Sequence, residues 1–199
     1  MNKIMLPKEE LLRLLEIKVL NCKDCVLYEE TKKKVMGEGA SDSLIFFVGE
    51  APGRKENESG RPFVGSAGKL LDKLLMGAGL SRELVFIGNV IKCRPPNNRR
   101  PMKNEISACS TFLENQLTII QPKIIVPMGK SAMDYIFMKF GIEKKEINQT
   151  HGKLFKVETT WGEVLIFPLY HPAAAIYNRK LIVKLQSDMG SLKRLFECL

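Results

Sequence analysis

The sequence predicts an α/β fold, a three-layer α/β/α sandwich around a central, four-stranded, mainly parallel sheet. The first observation is a set of four short apolar runs of β-prone residues, which begin about 40 residues apart. The second is that helical patterns lie between these runs, as crossover helices do between parallel strands. The predicted strands cover residues 44–49, 84–90, 123–128 and 164–169.

The predicted helices follow from the spacing of their apolar residues. An N-terminal helix is expected at roughly residues 8–20, ahead of the first cysteines. In the segment 66–79, Ser66 is the expected N-cap and four leucines share one face of the helix. Apolar stripes also run through residues 103–120 and 180–199. These helices are the expected outer layers of the sandwich.

Composition and charge limit the class of protein. No apolar run reaches the roughly 18 residues that span a bilayer. Charges interrupt the apolar runs of the N-terminal stretch MNKIMLPKEELLRLL, which is therefore not typical of a signal peptide. We expect an intracellular protein without a membrane partner. A net charge of +9 suits a polyanionic partner, although a solvated lysine-rich surface explains it equally well.

The cysteines are spaced as metal ligands. Cys22 and Cys25 form a C-x2-C pair, Cys93 follows the second predicted strand, and Cys109 lies in the next helix. Two intervening residues let one turn place both sulfurs on one metal, and two distant cysteines complete a four-thiolate site. The spacing leaves zinc and an iron–sulfur cluster open. Burial as a small apolar residue is the alternative for Cys109, and Cys198 has no predicted role.

The sequence predicts a simple domain organisation. We expect residues 1–199 to form a single domain, because the sequence contains no internal repeat, long linker or low-complexity tract. The N-terminal helix and the C-x2-C segment, residues 1–30, would be tied to it by the metal cluster.

Polar and turn residues follow each predicted strand. In open parallel sheets, ligands bind beyond the carboxyl ends of the strands, so these segments predict one site. An ATP-binding P-loop is not supported, because it needs glycine at position 63 and Ser or Thr at 70, where this chain has Phe63 and Leu70. The four segments read GEAPG (49–53), NVIKCRPP (89–96), PMGKSA (127–132) and YHPAAAI (170–176).

The motifs GEAPG, GRPFVGSAGKLL, NVIKCRPP and YHPA, together with the cysteine pattern, resemble the family 4 uracil-DNA glycosylases of bacteria and archaea. The resemblance runs from about Cys22 to Ile176 and keeps the order of the motifs. It implies the glycosylase fold, a cytoplasmic enzyme of base excision repair in a prokaryote, and removal of uracil from DNA. It also implies a [4Fe–4S] cluster, held by Cys22, Cys25, Cys93 and Cys109.

The resemblance assigns roles to individual residues. Glu50 is the expected catalytic acid, which orients water or stabilises the sugar cation, and His171 is expected to face the departing uracil. Phe63 is expected to stack on uracil and Asn89 to hydrogen-bond its edge. The remaining expected substrate-binding residues are Glu56, which would crowd the C5 substituent and so reject thymine, and Ala51.

These residue types suit the reaction on chemical grounds. Cleavage of an N-glycosidic bond produces an oxocarbenium-like sugar and an anionic base, which a carboxylate and a hydrogen-bond donor can stabilise separately. The amide of Asn89 carries one donor and one acceptor, which match O4 and N3–H of uracil and not the edge of cytosine. The structural alternatives are a helix cap for His171, a turn residue for Asn89 and a core position for Phe63.

Base extrusion requires contacts to the DNA backbone. The wedge that fills the vacated stack is expected in residues 94–101 or 172–177. A solvated charged face is the alternative for the basic residues. The basic residues expected to bind DNA are Arg94, Arg99, Arg100, Lys103 and Arg179.

Two further functions remain as alternatives: a non-catalytic, metal-containing nucleic-acid-binding module, and a glycosylase-like domain of a polymerase complex. The expected substrate is uracil-containing DNA, single- or double-stranded. A monomer is expected, and a sliding clamp or polymerase is left open as a partner. His151 receives no role.

Overall fold

A computed structural model describes residues 6–199 of the chain. The first five residues of the predicted 1–30 segment, and of the N-terminal stretch considered as a signal peptide, lie outside the described residues. None of the helices formed by residues 6–199 has the length and apolar character needed to cross a bilayer. These helices are α1 (Lys8–Asn21), α2 (Leu27–Glu30), α3 (Arg54–Ser59), α4 (Ser66–Gly77), α5 (Lys103–Ile120), α6 (Lys130–Lys139), α7 (Ile147–Thr150), α8 (Pro172–Tyr177) and α9 (Lys180–Glu197).

The strands form one mixed sheet in the order β1-β3-β2-β4-β6-β5. The four central strands, β3, β2, β4 and β6, are parallel and correspond to the four predicted runs. This arrangement confirms the α/β fold class. The strands are β1 (Glu38–Gly39), β2 (Ile45–Gly49), β3 (Phe86–Asn89), β4 (Ile124–Pro127), β5 (Phe155–Thr159) and β6 (Gly162–Ile166).

The predicted number of four strands was wrong, because β1 and β5 add an antiparallel strand at each edge. Neither edge strand has the apolar run that marks the central strands. Strand β1 has only two residues, and β5 alternates between partly buried and exposed positions. An edge strand with one solvated face contributes little to the core, so its sequence carries a weaker signal.

The two faces of the sheet carry separate cores. Helices α4, α8 and α9 cover one face, where Phe47 and Ile87 are fully buried. Helices α5 and α6 cover the other, where Phe46 and Val48 are fully buried. Helix α1 packs outside α5 through Leu15 and Val19. The result is the predicted three-layer arrangement, with β2, β3 and β4 buried along their whole length.

Strand register aligns the carboxyl ends of the central strands. Gly49 lies opposite Asn89 in the parallel β2–β3 pair. Beyond β4 and β6, Met128 bridges Leu169 in the same parallel sense. The segments that follow these strands therefore meet along one rim, where the motifs predicted the site.

Helix α4 begins differently from the prediction. Gly65, with extended backbone, is the N-cap, and Ser66 is the first helical residue without a capping hydrogen bond from its side chain. The expected capping role of Ser66 was therefore wrong. The N–H of Gly65 instead donates to the carboxylate of Glu56, 2.8 Å away, which ties the start of the helix to α3.

Candidate active site and thiol site

The rim carries a cavity of about 480 Å³ at the carboxyl ends of the parallel strands. It brings together all four residues with the main predicted roles, although they span 121 positions of sequence from Glu50 to His171. A cavity of this size is typical of small-ligand sites. The predicted site residues that line it are Glu50, Ala51, Glu56, Phe63, Asn89, Arg99, Arg100 and His171.

Asn89, the last residue of β3, lines this cavity and carries a buried, unsatisfied acceptor. The residue is only 2% exposed, and its side-chain Oδ1 is buried without a hydrogen-bond partner among residues 6–199. The neighbouring strand approaches closely at Gly49, where a Cβ atom would lie 2.3 Å from this oxygen. An unpaired buried acceptor costs about 1–3 kcal/mol, so this oxygen is expected to meet a donor from a ligand.

Phe63 is held in an unusual backbone conformation. Its φ of 51° lies in the left-handed region, which is strained for an aromatic residue. The Oε1 atom of Glu56 accepts hydrogen bonds from the next two backbone N–H groups, those of Val64 and Gly65, each at 2.8 Å. Glu56 thereby fixes the turn that carries the aromatic ring.

The other side of the same turn is held by Arg82. Its guanidinium donates to the carbonyl oxygens of Phe63 and Pro62 and pairs with Glu38 and Asp72. Helix α4 also needs glycine at position 68, because a Cβ atom there would lie 1.7 Å from the carbonyl oxygen of Phe63. The ring is therefore positioned before any ligand binds, 5.7 Å from the ring of His171 between centroids.

His171 is the N-cap of α8, and this contact defines its tautomer. Its Nδ1 accepts a hydrogen bond from the backbone N–H of Ala173 at 3.1 Å. Burial lowers the pKa of His171 to about 4, although the nearby carboxylate of Glu56 acts in the opposite direction. The imidazole is thus neutral at pH 7, and with Nδ1 as acceptor the proton lies on Nε2. His171 can therefore cap α8 through Nδ1 and donate a hydrogen bond from Nε2 at the same time.

Glu50 follows β2 and is partly buried. Its backbone oxygen accepts a hydrogen bond from Ile91 N–H at 3.2 Å, which fixes the main chain at the rim. Within the described part of the chain, its carboxylate makes no hydrogen bond or ion pair, and it therefore remains available to a substrate or a water molecule.

The predicted DNA-binding residues occupy different environments. Arg100 lines the cavity, and Arg94 lies in the same loop with its Nε 2.7 Å from Asn98 Oδ1. Arg99 forms a bidentate pair with the fully buried Glu105 at 2.6 and 2.9 Å, so much of its donor capacity is used within the loop. Lys103, at the start of α5, and Arg179, just before α9, are exposed and do not line the cavity.

The four predicted metal-binding cysteines line a second, separate depression. Cys22 follows α1, Cys25 precedes α2, Cys93 follows β3, and Cys109 belongs to α5. The depression is narrow, with a cavity volume of only about 10 Å³, and its accessible surface is almost entirely apolar. All four cysteines are free. Cys198 is also free, but it is exposed and lies near the C-terminus.

These thiols fit a soft metal centre. Burial raises the pKa of Cys109 to about 12 and also raises the pKa of Cys93, so a metal would have to displace the protons of these thiols on binding. Four thiolates are the donor set of zinc sites and of iron–sulfur clusters. Among residues 6–199, no three His, Cys, Asp or Glu side chains converge closely enough to hold a single ion. An iron–sulfur cluster is larger than one ion, so the cysteines that would hold it would stand farther apart than the ligands of a single ion.

A buried lysine connects the two sites. Lys92 is 1% exposed, and its Nζ donates to the backbone oxygen of Asn89 at 2.9 Å and to Gln116 Oε1 at 2.6 Å. Its backbone N–H donates to the sulfur of Cys109 at 3.2 Å. Lys92 thus contacts a residue of the active-site cavity and a residue of the thiol site.

Sequence reasoning missed Lys92 and Arg82. Lys92 carried a usable signal, since a charge between the apolar Val90-Ile91 pair and Cys93 indicates a buried, partnered amine. Arg82 carried none, because an arginine in a helix–strand connection is typical of a solvated surface.

The chain matches the sequence model of the uracil DNA glycosylase superfamily over residues 36–190. It is 47% identical over 178 residues to the type-4 uracil-DNA glycosylase of Sulfurisphaera tokodaii, which covers 89% of this chain and 81% of that protein. The corresponding enzymes of Archaeoglobus fulgidus and Thermotoga maritima are 42% and 41% identical, with 89% and 88% of both chains covered. The chain therefore belongs to the uracil DNA glycosylase superfamily, and within it to the type-4 uracil-DNA glycosylases.

Proposed function

We propose that this protein removes uracil from DNA by hydrolysing the N-glycosidic bond of deoxyuridine, which releases uracil and leaves an abasic site. The observation that carries the proposal is the buried, unpartnered Oδ1 of Asn89 in a rim cavity beside an aromatic ring. An acceptor of this kind selects a ligand with a matching donor, and N3–H of uracil is such a donor.

Base recognition is assigned to Phe63 and Asn89. The strained turn holds the phenyl ring ready for stacking, so little conformational entropy is lost when the base enters. Asn89 reads the edge of the base, with Oδ1 accepting from N3–H and Nδ2 donating to O4. Cytosine presents the opposite polarity at these two positions and would leave the amide unsatisfied. Selection against cytosine follows from the cost of such unpaired groups.

Bond cleavage is assigned to His171 and Glu50. The neutral His171 donates its Nε2–H to a carbonyl oxygen of the departing base, while the bonding electron pair leaves C1′ with the uracil. The carboxylate of Glu50 stabilises the positive charge on the sugar and orients the water that adds to C1′. Preorganised groups of this kind typically contribute about 10²- to 10³-fold each. No lysine is assigned to Schiff-base chemistry, so strand cleavage is not part of the proposal.

Glu56 has a positioning role that its contacts support directly, because it holds the turn of Phe63. Its second oxygen, together with Ala51, is proposed to limit the space beside C5 of the base and so disfavour thymine. Both residues line the cavity.

DNA-backbone contacts are assigned to four cations of the rim, which are exposed except for the half-buried Arg94. Arg94 and Arg100 lie at or next to the cavity, and Lys103 and Arg179 extend the basic surface on either side. Arg99 is proposed to act mainly through the shape of the loop, because its guanidinium is paired with Glu105.

We propose that Cys22, Cys25, Cys93 and Cys109 hold a [4Fe–4S] cluster, which when bound acts as a cross-link between the N-terminal helices and the sheet. The soft donor set and the apolar depression support this proposal. It includes residues 1–199 acting as one domain, with the 1–30 segment secured by the cluster. A monomeric state remains a prediction, and so does a sliding clamp or polymerase as a partner.

A non-catalytic nucleic-acid-binding module would share the positive charge and the thiol site. It would not need a free carboxylate, a neutral imidazole, an aromatic ring and an unpaired amide oxygen in one cavity. The hydrolase therefore accounts for more of the geometry than the binding module does.

The test is incubation with an oligonucleotide that contains one deoxyuridine, followed by alkali to reveal abasic sites. The wild type should convert it, and Asn89→Ala should lose at least about 100-fold in kcat/KM while keeping most of its affinity for DNA. Asn115→Ala, at an exposed position of α5, is the matched control. A wild type that leaves deoxyuridine intact would reject the function, and equal losses of binding and activity would reject base reading by Asn89.

A further inference from the structure

A second cavity of about 530 Å³ adjoins the uracil cavity. The two cavities share Glu56 and Asn98 in their walls. A strand of DNA whose deoxyuridine enters one cavity must place a neighbouring nucleotide close to the other. The residues of the second cavity used below are Arg54, Lys55, Arg94 and Tyr177.

The second cavity has a positive balance of charge, because three cations and one carboxylate, that of Glu56, line it. Arg54 and Lys55 are both exposed. In the described part of the chain, neither forms an ion pair or a side-chain hydrogen bond. Arg94 is oriented by Asn98, which accepts from its Nε at 2.7 Å and leaves the two terminal nitrogens of the guanidinium free of this contact. Three cations around one cavity provide the charge that a phosphodiester requires.

Tyr177 adds an aromatic surface to this cavity. Its side chain is 92% exposed, which is unusual for a large aromatic residue at the end of a helix. The helix that carries it is firmly placed, because Ala175 is fully buried against α4 and α9. An exposed ring next to cations is the arrangement by which proteins stack the bases of an unpaired strand.

The position of Tyr177 relative to the reaction is fixed by α8. The helix begins after His171 and ends at Tyr177, six residues later. At a rise of 1.5 Å per residue, the two side chains start about 9 Å apart along the helix axis. Because the two cavities also share wall residues, Tyr177 lies close enough to contact a nucleotide next to a base that His171 contacts.

We propose that the second cavity binds the nucleotide adjacent to the flipped deoxyuridine in the same strand. Arg54, Lys55 and Arg94 hold its phosphate, and Tyr177 stacks on its base. The inference rests on the proposed function, since it presumes that deoxyuridine in DNA occupies the first cavity. It assigns Arg54, Lys55 and Tyr177 to substrate binding.

Stacking is tested by fluorescence with a single-stranded oligonucleotide carrying 2-aminopurine beside a 2′-fluorinated deoxyuridine, whose glycosidic bond resists cleavage. Separate oligonucleotides place the probe on the 5′ or the 3′ side. The wild type and Tyr177→Phe, which keeps the ring, should quench one of the two probes, and Tyr177→Ala should not. Equal fluorescence changes for all three proteins, or no change with any of them, would overturn the stacking proposal. These readouts do not require turnover, so they remain informative if the wild type releases no uracil.

Combining protein variants with oligonucleotide variants separates the loss of stacking from a general loss of structure. Tyr177→Ala should weaken binding of the single-stranded oligonucleotide by about 5- to 100-fold, and Tyr177→Phe should restore most of it. Replacing the neighbouring base with an abasic spacer should weaken the wild type similarly and leave Tyr177→Ala almost unaffected. A Tyr177→Ala protein that loses the same factor with and without the neighbouring base would refute the contact.

The phosphate contact is tested by salt dependence. Arg54→Gln and Lys55→Gln should each reduce the slope of log affinity against log salt by about 1. Lys144→Gln, an exposed substitution away from both cavities, should leave the slope unchanged. Identical slopes for all three variants would remove the cations from the proposal.

Discussion

The rim cavity and the thiol site lie at the two ends of one short segment, since Asn89 and Cys93 are four residues apart, yet their physical characters are opposite. The cavity is open, charged side chains stand among its apolar walls, and it contains an acceptor with no partner among the described residues. The thiol site is narrow and apolar, and burial raises the pKa of its inner cysteines. The first is built for a ligand that enters and leaves, and the second for a group that stays.

This contrast predicts that substitutions in the two sites have separable effects. A change at Asn89 or Phe63 should reduce activity with little change in stability, because Asn89 Oδ1 is already unpaired and the backbone of Phe63 is already strained in the free protein. A change in the thiol site should reduce stability first, because that site joins α1, β3 and α5. Each prediction below tests this separation, beginning with the largest expected effect.

Cys93→Ser is expected to have the largest effect on stability. It removes one of four thiolates, and the cross-link they provide should be lost or weakened. By analogy with removal of a native covalent cross-link, the free energy of unfolding should fall by about 2–5 kcal/mol. Denaturant unfolding, iron content and the brown absorption near about 400 nm typical of thiolate-bound iron measure the change.

The matched control is Cys198→Ser, because this cysteine is exposed and lies outside the depression. It should change neither colour nor stability. A colourless wild type that contains stoichiometric zinc would contradict the cluster proposal. A Cys93→Ser protein with unchanged iron content and stability would contradict the ligand assignment itself.

His171 should make stability depend on pH in a defined window. Its pKa is about 4 in the folded protein, below the ordinary value of 6.5, because burial disfavours the charged ring. As pH falls from about 6.5, the unfolded chain takes up this proton first, and stability is lost progressively until about pH 4. The full contribution, present above pH 6.5, amounts to at most about 3 kcal/mol. Denaturant unfolding at a series of pH values measures it.

His171→Asn is the control for this window. Asparagine is a good N-cap and can replace the hydrogen bond to Ala173, but it does not titrate. The variant should keep its stability at pH 7 and lose the decline between pH 6.5 and 4 that is due to the imidazole. If the stabilities of the wild type and of His171→Asn fall in parallel between pH 6.5 and 4, His171 is not the group that causes the decline.

Much of the fold followed from sequence because its determinants are local. The central strands are continuous apolar runs because helices cover both faces of the sheet. Helix α5 coincides with the predicted residues 103–120 because its apolar residues recur at helical spacing. The edge strands β1 and β5 were missed, because half-buried strands lack such runs. The cap of α4 was assigned to Ser66, whereas the backbone at Gly65 is held by Glu56, a contact that no local pattern encodes.

The same limit applies to the sites. Motif order was enough to place Glu50, Phe63, Asn89 and His171 at one rim. The left-handed backbone of Phe63 was not predictable, because its stability depends on Glu56 and on Arg82, 19 residues away. Tyr177 was considered only as one of residues 172–177, a candidate segment for the wedge. Its exposure was not predictable, because it depends on how α8 packs.

Lys92→Met gives the smallest expected effect and tests whether the two sites are independent. Methionine fits the space of a linear side chain but cannot donate to Asn89 O or Gln116 Oε1. Leaving buried acceptors unpaired should lower the free energy of unfolding by about 2 kcal/mol, partly offset because no charge is then buried. A small shift of Asn89 should also raise the KM for deoxyuridine several-fold. Denaturant unfolding and steady-state kinetics measure the two effects.

The companion substitution Gln116→Leu distinguishes a specific network from general damage to the core. When both members of a buried polar pair become apolar, the groups that each single change leaves unpaired within that pair disappear together. Met36 O loses its donor, Gln116 Nε2, in both variants that carry Gln116→Leu, and this cost is the same in each. Lys92→Met with Gln116→Leu should therefore cost clearly less than the sum of the two single changes. Asn89 O still lacks its donor in the double variant, so the rise in KM should persist while part of the stability returns. Additive losses would mean that the lysine and the glutamine act independently. A KM that recovers with stability would mean that Lys92 supports the fold and does not position Asn89.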